Sequence, residues 1–393
     1  MPFRTRPKGK LVIGMTPPPD ANVSPAVGGS SPRFHDLDAL RATAMLLGVV
    51  LHATLFLIPG AWPIQDAWAG SVHPRENPYG YLLSAIHGFR MPVFFLLSGF
   101  FTALLWQRRG LKEMGVQRLK RIALPLAIGS LTIVPINVWL LAGADFDPAW
   151  WPVYWLDSLH HLWFLWILLL LVAAFAVAVC LGLQFAHRLW WLAIPATLLP
   201  QLLMLEPIFG PDTSDGPVPN PVVLAYYALF FAFGAFCYRR DIVVSRRWAI
   251  ALIPALTVIF LSGLVFLYES PAPWAAYLSA VFQATYAWLM CFGLMGLFRW
   301  VAARERFWVR YVSDASYWIY LWHLPLIIAG QSLLVGLPLN PHLKFALLCL
   351  AVPAILLVVY QIGVRYTPVG TFLNGRRNRR TPAIARRPVG GNA

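Results

Sequence analysis

Charged residues are scarce in this chain of 393 residues, and acidic residues are the scarcer sign. Asp, Glu, Lys and Arg together make up 12% of the sequence, whereas hydrophobic residues make up 59%. A soluble domain carries about 25% charged residues, so this chain has too few to cover the surface of a soluble protein of its size. The composition excludes an ordinary soluble enzyme and a disordered chain, and it predicts a protein whose main solvent is lipid.

Cysteine is also scarce, and the motifs of several enzyme classes are missing. The four cysteines lie in apolar stretches without a CxxC spacing, so we expect small core residues rather than disulfides or a metal site. His160 and His161 are adjacent rather than spaced i,i+4, so they do not form a zinc signature on one helical face. No Walker loop, GxGxxG or GxSxG motif occurs. We therefore expect no metal and no serine nucleophile of a recognisable type.

Ten apolar stretches are long enough to cross the hydrocarbon core as helices, which takes about 20 residues each. The stretch at 188–205 is the weakest, because it is short and contains Pro195 and Pro200. No stretch alternates polar and apolar residues as the strands of a barrel do. We predict an all-α polytopic membrane protein with about ten transmembrane helices, at 36–59, 79–106, 121–142, 161–183, 188–205, 221–238, 247–268, 274–298, 314–337 and 341–365.

Lys and Arg are distributed unevenly between the two sides of these spans. They concentrate in the N-terminal segment, in the connections after spans two, four, six and eight, and in the C-terminal tail, whereas the opposite connections hold only Arg75. Because cytoplasmic loops carry the excess of basic residues, both termini are predicted to be cytoplasmic. This placement also accounts for the net charge of +15 without a nucleic-acid partner.

Three segments follow from this map. Residues 1–35 are predicted to be a cytoplasmic N-terminal segment without stable structure. Residues 36–366 form the ten-helix membrane domain, and residues 367–393 form a basic, disordered cytoplasmic tail.

Ionisable residues inside the spans are expensive in lipid, so a functional role is the default interpretation. In span one, Arg41 and His52 lie within about 20° of each other on one helical face and about 16 Å apart along the axis. Arg41 is therefore expected near the cytoplasmic end and His52 past the middle of the membrane. Two structural alternatives remain open: an ion pair of Asp38 with Arg41 at the helix end, and a buried His52 that is only hydrogen-bonded.

Span two carries a second polar stripe, which includes His87, Arg90 and Ser98. Since spans one and two are antiparallel, His87 and Arg90 are expected at about the depth of His52. An arginine at this depth needs a partner or a water-filled cavity, and Pro92 beside it frees a backbone carbonyl. A purely structural Arg90 remains the alternative.

Spans four and nine add further polar and aromatic residues. Span four opens with His160, His161 and Trp163 at the outer interface, which is also typical of an aromatic belt. In span nine, Tyr317, Tyr320 and His323 are placed to line a polar groove, and the alternative for His323 is a hydrogen bond to a neighbouring helix.

Five motifs occur in order along the chain and together resemble a known family. They are Arg41-x10-His52, FRMPVFFLLSGF, Arg118-Leu-Lys-Arg121, HLWFLWILLLL and SYWIYLWHLP. This set resembles the acyltransferase 3 family of integral-membrane acyltransferases over roughly residues 33–366, and its wording is most similar to the branch with the glucan-biosynthesis succinyltransferases. The resemblance implies a bacterial inner-membrane enzyme that draws an acyl group from cytoplasmic acyl-CoA. The acceptor it implies is a hydroxyl of a glycan or a similar molecule on the periplasmic side.

The resemblance also implies roles for individual residues. His52 matches the family's presumed catalytic histidine, and Arg118 and Arg121 match its basic pair at the cytoplasmic mouth. One departure is that the acidic pair expected after the histidine motif of span four is missing, since residues 166–169 are Trp-Ile-Leu-Leu. This difference separates the chain from the O-antigen acetylases.

The chemistry of acyl transfer assigns the remaining candidates. A base must activate the hydroxyl and a positive group must stabilise the developing oxyanion, so we assign His52 as the base and Arg90, with Arg41, as further catalytic candidates. The phosphates of acyl-CoA are expected at Arg118, Lys120 and Arg121. Candidate substrate-binding residues are His87, Ser98, His161, Trp163, Tyr320 and His323.

Two other function classes fit the composition. One is a proton-coupled transporter or flippase for a small or glycan-linked solute, in which the buried ionisable residues form a proton or substrate path. The other is a membrane sensor or scaffold without chemistry. The five motifs favour the acyltransferase.

Overall fold

The computed structural model describes residues 12–13, 34–143, 147, 149, 153–154, 158–183, 190–204, 208–304 and 306–374. Over these residues the protein is mostly helical, as predicted. A two-residue parallel pairing joins Val12–Ile13 to Val243–Val244. The helices are α1 (His35–Thr54), α2 (Pro78–Arg118), α3 (Leu124–Ala142), α4 (Trp163–Cys180), α5 (Ala193–Ala196), α6 (Leu198–Leu202), α7 (Pro221–Arg239), α8 (Leu252–Pro254), α9 (Phe260–Tyr268), α10 (Pro273–Val301), α11 (Phe307–Leu334), α12 (Pro341–Val359) and α13 (Pro368–Asn374).

Seven helical stretches of the described chain are long and apolar enough to span a membrane, so the protein is an integral membrane protein. They are His35–Leu57, Pro78–Ala142, His160–Cys180, Pro221–Arg239, Arg246–Tyr268, Pro273–Val301 and Pro341–Val364. The second stretch is 65 residues long and contains two predicted spans, which are separated where Gly110 takes a left-handed backbone with φ 80°. The predicted count of ten is not confirmed.

The stretch predicted at 188–205 is the clearest difference from a spanning helix. Its described part consists of a 3₁₀ turn at Trp190–Leu192 and the short helices α5 and α6. Pro195 and Pro200 explain the interruption, because each removes a backbone donor and disfavours the helical conformation of the preceding residue.

Both terminal segments contain described structure where none was predicted. In the N-terminal segment, β-branched Val12 and Ile13 form the short strand named above. In the tail, α13 begins at Pro368, whose fixed φ suits the first turn of a helix. A side chain on Gly370 would overlap the Val364 carbonyl, so this glycine lets α13 fold back closely on the preceding helix. The tail from Gly375 onward lies outside the described residues.

Helix α2 is held against α7 by a close backbone approach. A Cβ atom on Gly99 would overlap the carbonyl of Phe231, and one on Gly234 would overlap the carbonyl of Leu96. Small residues permit such approaches between helices in a membrane. Elsewhere on α2, Arg90 lies against Gly48 of α1, and His87 lies against Gly210 in the connection before α7.

One end of the fold is closed by the connection between α1 and α2. Asp66 in this connection forms a 2.6 Å ion pair with Lys344 of α12, and both side chains are buried. The Asn77 amide donates to the carbonyl of Leu57 at 2.7 Å. These contacts tie the connection over the mouth of the cavity described next.

Candidate active site

A cavity of about 340 Å³ lies among α1, α2, α4 and α11. Its lining collects most of the ionisable residues that the sequence places inside the spans. Asp215 is the only acidic residue among its described lining residues. The other titratable side chains that line it are His52, His87, Arg90, His160, His161, Tyr320 and His323.

Three histidines from three segments of the chain meet in this cavity. The ring centroid of His323 on α11 lies 5.2 Å from that of His52 on α1 and 5.0 Å from that of His161, which lies just before α4. No group of three or more His, Cys, Asp or Glu side chains in the described chain has an arrangement that could hold a metal ion. The ring nitrogens of the cluster are groups that can transfer protons and form hydrogen bonds.

The position of His161 depends on a proline in α11. Pro325 has no N–H, so the carbonyl of Leu321, four residues earlier, lacks its helical partner. The Nε2 atom of His161 lies 3.1 Å from that carbonyl oxygen. Since a carbonyl only accepts, Nε2 carries the proton, and in the neutral ring Nδ1 is the free acceptor. The Tyr320 hydroxyl donates back to the carbonyl of His161 at 2.8 Å, which ties the two segments twice.

His323 is fixed in a similar way by its own helix. Its Nδ1 lies 2.6 Å from the carbonyl oxygen of Tyr320, so Nδ1 donates the proton. In the neutral ring Nε2 then holds the lone pair. This nitrogen is buried and has no hydrogen-bond partner among the described residues. His323 is 1% exposed, so the orientation of its ring is set by packing and by this one bond.

Arg90 reaches the same place from α2, and Gly48 of α1 makes the room for it. A Cβ atom on Gly48 would overlap Nη1 of Arg90 and would lie 3.7 Å from Nε2 of His323. The Nε atom of Arg90 is buried without a hydrogen-bond partner in the described chain. A guanidinium with an unsatisfied Nε–H beside an imidazole lone pair is an arrangement suited to an incoming anionic or polar group.

His52 faces the cavity from α1, and a glutamine supports its backbone. The Gln331 amide, which is fully buried, donates to the carbonyl of His52 at 3.2 Å. The Nδ1 atom of His52 is buried and has no described partner. Sequence reasoning missed Gln331, although a glutamine inside span nine is a polar residue at membrane depth.

The other predicted substrate-binding residues divide into two groups. His87 and Trp163 line the cavity with His161, Tyr320 and His323. Ser98 does not line it, and its carbonyl instead accepts a hydrogen bond from Thr102 within α2.

A second cavity of about 270 Å³ lies near the other ends of α1, α2 and α11, and we call it the basic pocket. Arg41, Arg118 and Arg121 line it, as does Asp38. The sequence predicted Arg118 and Arg121 at one mouth, but it did not assign three further arginines that line the same pocket. These are Arg304, Arg306 and Arg310. Lys120 is exposed and is not among the lining residues.

The ion pair between Asp38 and Arg41, which the sequence left open as a structural alternative, is present with a 3.4 Å separation. Arg41 thus belongs to the basic pocket and not to the cavity that holds His52. Tyr317 of α11 borders the neighbouring segment, since its hydroxyl donates to the Arg121 carbonyl at 2.7 Å. Its ring stacks 6.1 Å from that of Tyr320, and Tyr320 lies the same distance from His323. One stripe of α11 therefore runs from the basic pocket to the histidine cluster.

Comparison with known proteins places the chain in a family. The family model for an acyltransferase domain matches residues 34–361. Glucans biosynthesis protein C from Salmonella typhimurium and from Salmonella typhi are each 26% identical over 400 residues, which covers 88% of this chain and 96% of the relative. The protein of the same name from Salmonella agona is 26% identical over 410 residues, with the same coverage. No solved structure gives a significant match.

Proposed function

The chain belongs to the acyltransferase family whose domain model covers residues 34–361, and we propose that it transfers an acyl group from cytoplasmic acyl-CoA to a hydroxyl of a glycan on the periplasmic side of the bacterial inner membrane. The observation that carries this proposal is the cavity that brings the His52 and His323 rings within 5.2 Å of each other and Arg90 beside His323. A base and a cation in one water-poor site are what O-acyl transfer from a thioester requires.

The donor binds with its nucleotide in the basic pocket. Arginine forms strong, often bidentate hydrogen bonds with phosphate, and six arginines line this pocket. The acyl thioester extends along the stripe of Tyr317, Tyr320 and His323 into the cavity. Arg41 and His52 are about 16 Å apart along α1, so one elongated donor can occupy both places.

The transfer step uses His52 and Arg90. His52 removes the proton from the acceptor hydroxyl as its oxygen attacks the thioester carbonyl carbon. Arg90 donates hydrogen bonds to the oxyanion that forms, or to a distal carboxylate where the acyl group is succinyl. Collapse of the tetrahedral species breaks the carbon–sulfur bond and releases CoA.

The acceptor approaches through the end of the cavity that is bordered by loops. Trp62, Ser158, Thr213 and Asp215 line this end and lie in connections that the charge distribution assigns to the periplasm. The indole N–H of Trp62 is buried without a described partner. An aromatic side chain with a free donor, two hydroxyls and one carboxylate suit a sugar. The relatives named for glucan biosynthesis support a glucan acceptor.

A donor and acceptor screen tests this proposal. The purified protein in lipid nanodiscs is incubated with succinyl-CoA or acetyl-CoA and periplasmic glucans, and the glucans are analysed by mass spectrometry while free thiol is measured. We expect a mass increase of one acyl group per thiol released, and no increase with the His52→Gln variant. Absence of both thiol release and acylated glucan in the wild-type protein, with either donor, would contradict the proposed function.

A further inference from the structure

His323 has a feature that its predicted role in substrate binding does not use. Its Nδ1–H is held by the Tyr320 carbonyl, which leaves Nε2 as a lone pair of fixed direction. Proteins usually prepare a histidine for proton transfer by hydrogen-bonding one of its ring nitrogens to a second group. This bond fixes the tautomer of the ring and leaves the other nitrogen available. A histidine that serves only packing gains nothing from a buried nitrogen without a partner, which costs free energy.

The surroundings of Nε2 connect two parts of the proposed reaction. The His52 ring lies 5.2 Å from the His323 ring, close enough for a hydrogen bond after one ring turns. On another side, Nε2 of His323 and Nη1 of Arg90 both lie near the position that a Cβ atom on Gly48 would occupy. If Arg90 holds the thioester oxygen, the sulfur of the same thioester lies close to His323.

We infer that His323 carries the proton from His52 to the departing sulfur. This inference rests on the proposed function and adds a positioned proton carrier to it. The hydroxyl proton moves to His52 as the new carbon–oxygen bond forms. His52 then passes a proton to Nε2 of His323, and the resulting imidazolium protonates the sulfur as the carbon–sulfur bond breaks. Both rings return to neutral, so the overall change is a hydroxyl and a thioester becoming an ester and a thiol.

The order of the residues across the membrane agrees with this direction. The acceptor enters from the end with the loops, where His52 lies one helical turn beyond Gly48 on α1. The donor enters from the basic pocket, and His323 lies at the level of Gly48. The proton therefore travels from the acceptor side towards the donor side, as the transfer requires.

A set of histidine variants tests the relay. His323→Gln removes the proton carrier but keeps a polar side chain of similar length. We expect kcat to fall by about 10²-fold or more, with the KM for acyl-CoA and the melting temperature unchanged. His73→Gln is the matched control, because His73 lies in the connection between α1 and α2 and lines neither cavity; its activity should equal that of the wild-type protein.

Two further measurements separate the relay from a structural role. Imidazole added to His323→Ala should restore part of kcat in a saturable manner, since the free base can occupy the vacated space. The double variant His52→Gln/His323→Gln should be no slower than the slower single variant, because residues that act in series are not additive.

Several results would overturn the relay. A folded His323→Gln protein with wild-type kcat, or with only a raised KM, would show that His323 carries no proton in the reaction and at most binds substrate. Additive losses in the double variant, or imidazole that raises stability without activity, would also contradict it. In each of these cases the wild-type protein still transfers acyl groups, so the result is distinct from a failure of the proposed function.

Discussion

The Nε2 atom of His161 lies 3.1 Å from the carbonyl oxygen of Leu321, and it takes the place of the helical N–H that Pro325 cannot supply. A single proline in α11 thus creates both a free acceptor and the anchor for a residue of another segment. In a membrane an unsatisfied carbonyl is expensive, so this hydrogen bond holds the segment before α4 against α11. It also sets the tautomer of His161 within the histidine cluster.

This relationship predicts a specific non-additivity. His161→Phe should lower stability by about 1–3 kcal/mol, because it leaves the Leu321 carbonyl buried without a partner. In a Pro325→Ala background the same change should cost less, because the introduced alanine supplies a backbone N–H to that carbonyl. Thermal unfolding of the four proteins in detergent measures the coupling, and equal costs in both backgrounds would show that the carbonyl is not the anchor.

Gly48 predicts an effect on activity from a single added methyl group. Gly48→Ala places a Cβ where Nη1 of Arg90 now lies, so the guanidinium must move. We expect kcat to fall by at least about tenfold, as expected when an oxyanion donor is misplaced. Gly80→Ala is the control, because no heavy atom lies within 4 Å of the Cβ that it would add.

The comparison between these two glycine variants uses acyl-CoA kinetics and melting curves on the same preparations. A Gly48→Ala protein with the kinetics of Gly80→Ala would mean that Arg90 is not needed at its present position.

The basic pocket predicts where donor affinity resides. Arg118→Ala and Arg121→Ala should each raise the KM for acyl-CoA with little change in kcat, because each removes a charge-assisted contact to phosphate. Arg304→Ala should act in the same direction, since Arg304 lines the same pocket. Lys112→Ala is the control, an exposed basic residue of α2 that does not line it. If all four variants kept the wild-type KM for acyl-CoA, the nucleotide would have to bind elsewhere.

The distribution of basic residues predicts the orientation of the chain. A reporter fused after Gly375 should be active only in the cytoplasm, and one inserted in the 58–77 connection should be active only in the periplasm. Activity on the opposite sides would reverse the assignment of donor and acceptor entrances.

Helical geometry explains which positions of the site residues could be predicted from the sequence alone. Arg41 and His52 were predicted on one face and far apart in depth, and the structure places them in two separate pockets along α1. Two predicted site residues lie outside the pockets. Ser98 follows Arg90 by about 12 Å along α2, which is beyond the cavity. Lys120 lies in the π-helical turn Leu119–Ala123 that follows α2, and its side chain is exposed there, whereas Arg121 lines the pocket.

Contacts between distant segments could not be predicted in this way. The three arginines at 304, 306 and 310 share a pocket with Arg118 because the start of α11 packs beside α1 and α3, and no period in one sequence encodes those neighbours. The bonds from His161 to Leu321 and from Gln331 to His52 are of the same kind. The short helices α5 and α6 show the opposite case, where prolines visible in the sequence weakened the prediction of a span.

The most direct prediction concerns His52. His52→Gln should abolish transfer, with a rate loss of about 10²–10⁴, while the protein stays inserted and melts at the wild-type temperature. The expectation follows from the geometry, because His52 lines the cavity from α1 while Gln331 bonds only its backbone carbonyl, which the substitution leaves in place. A histidine with a structural role behaves differently: its loss lowers the melting temperature and leaves the activity per folded molecule intact. Melting curves and acyl-CoA transfer are therefore measured on one preparation. An active, normally folded His52→Gln protein would move the base to His87 or His323, and His87→Gln would then distinguish those two.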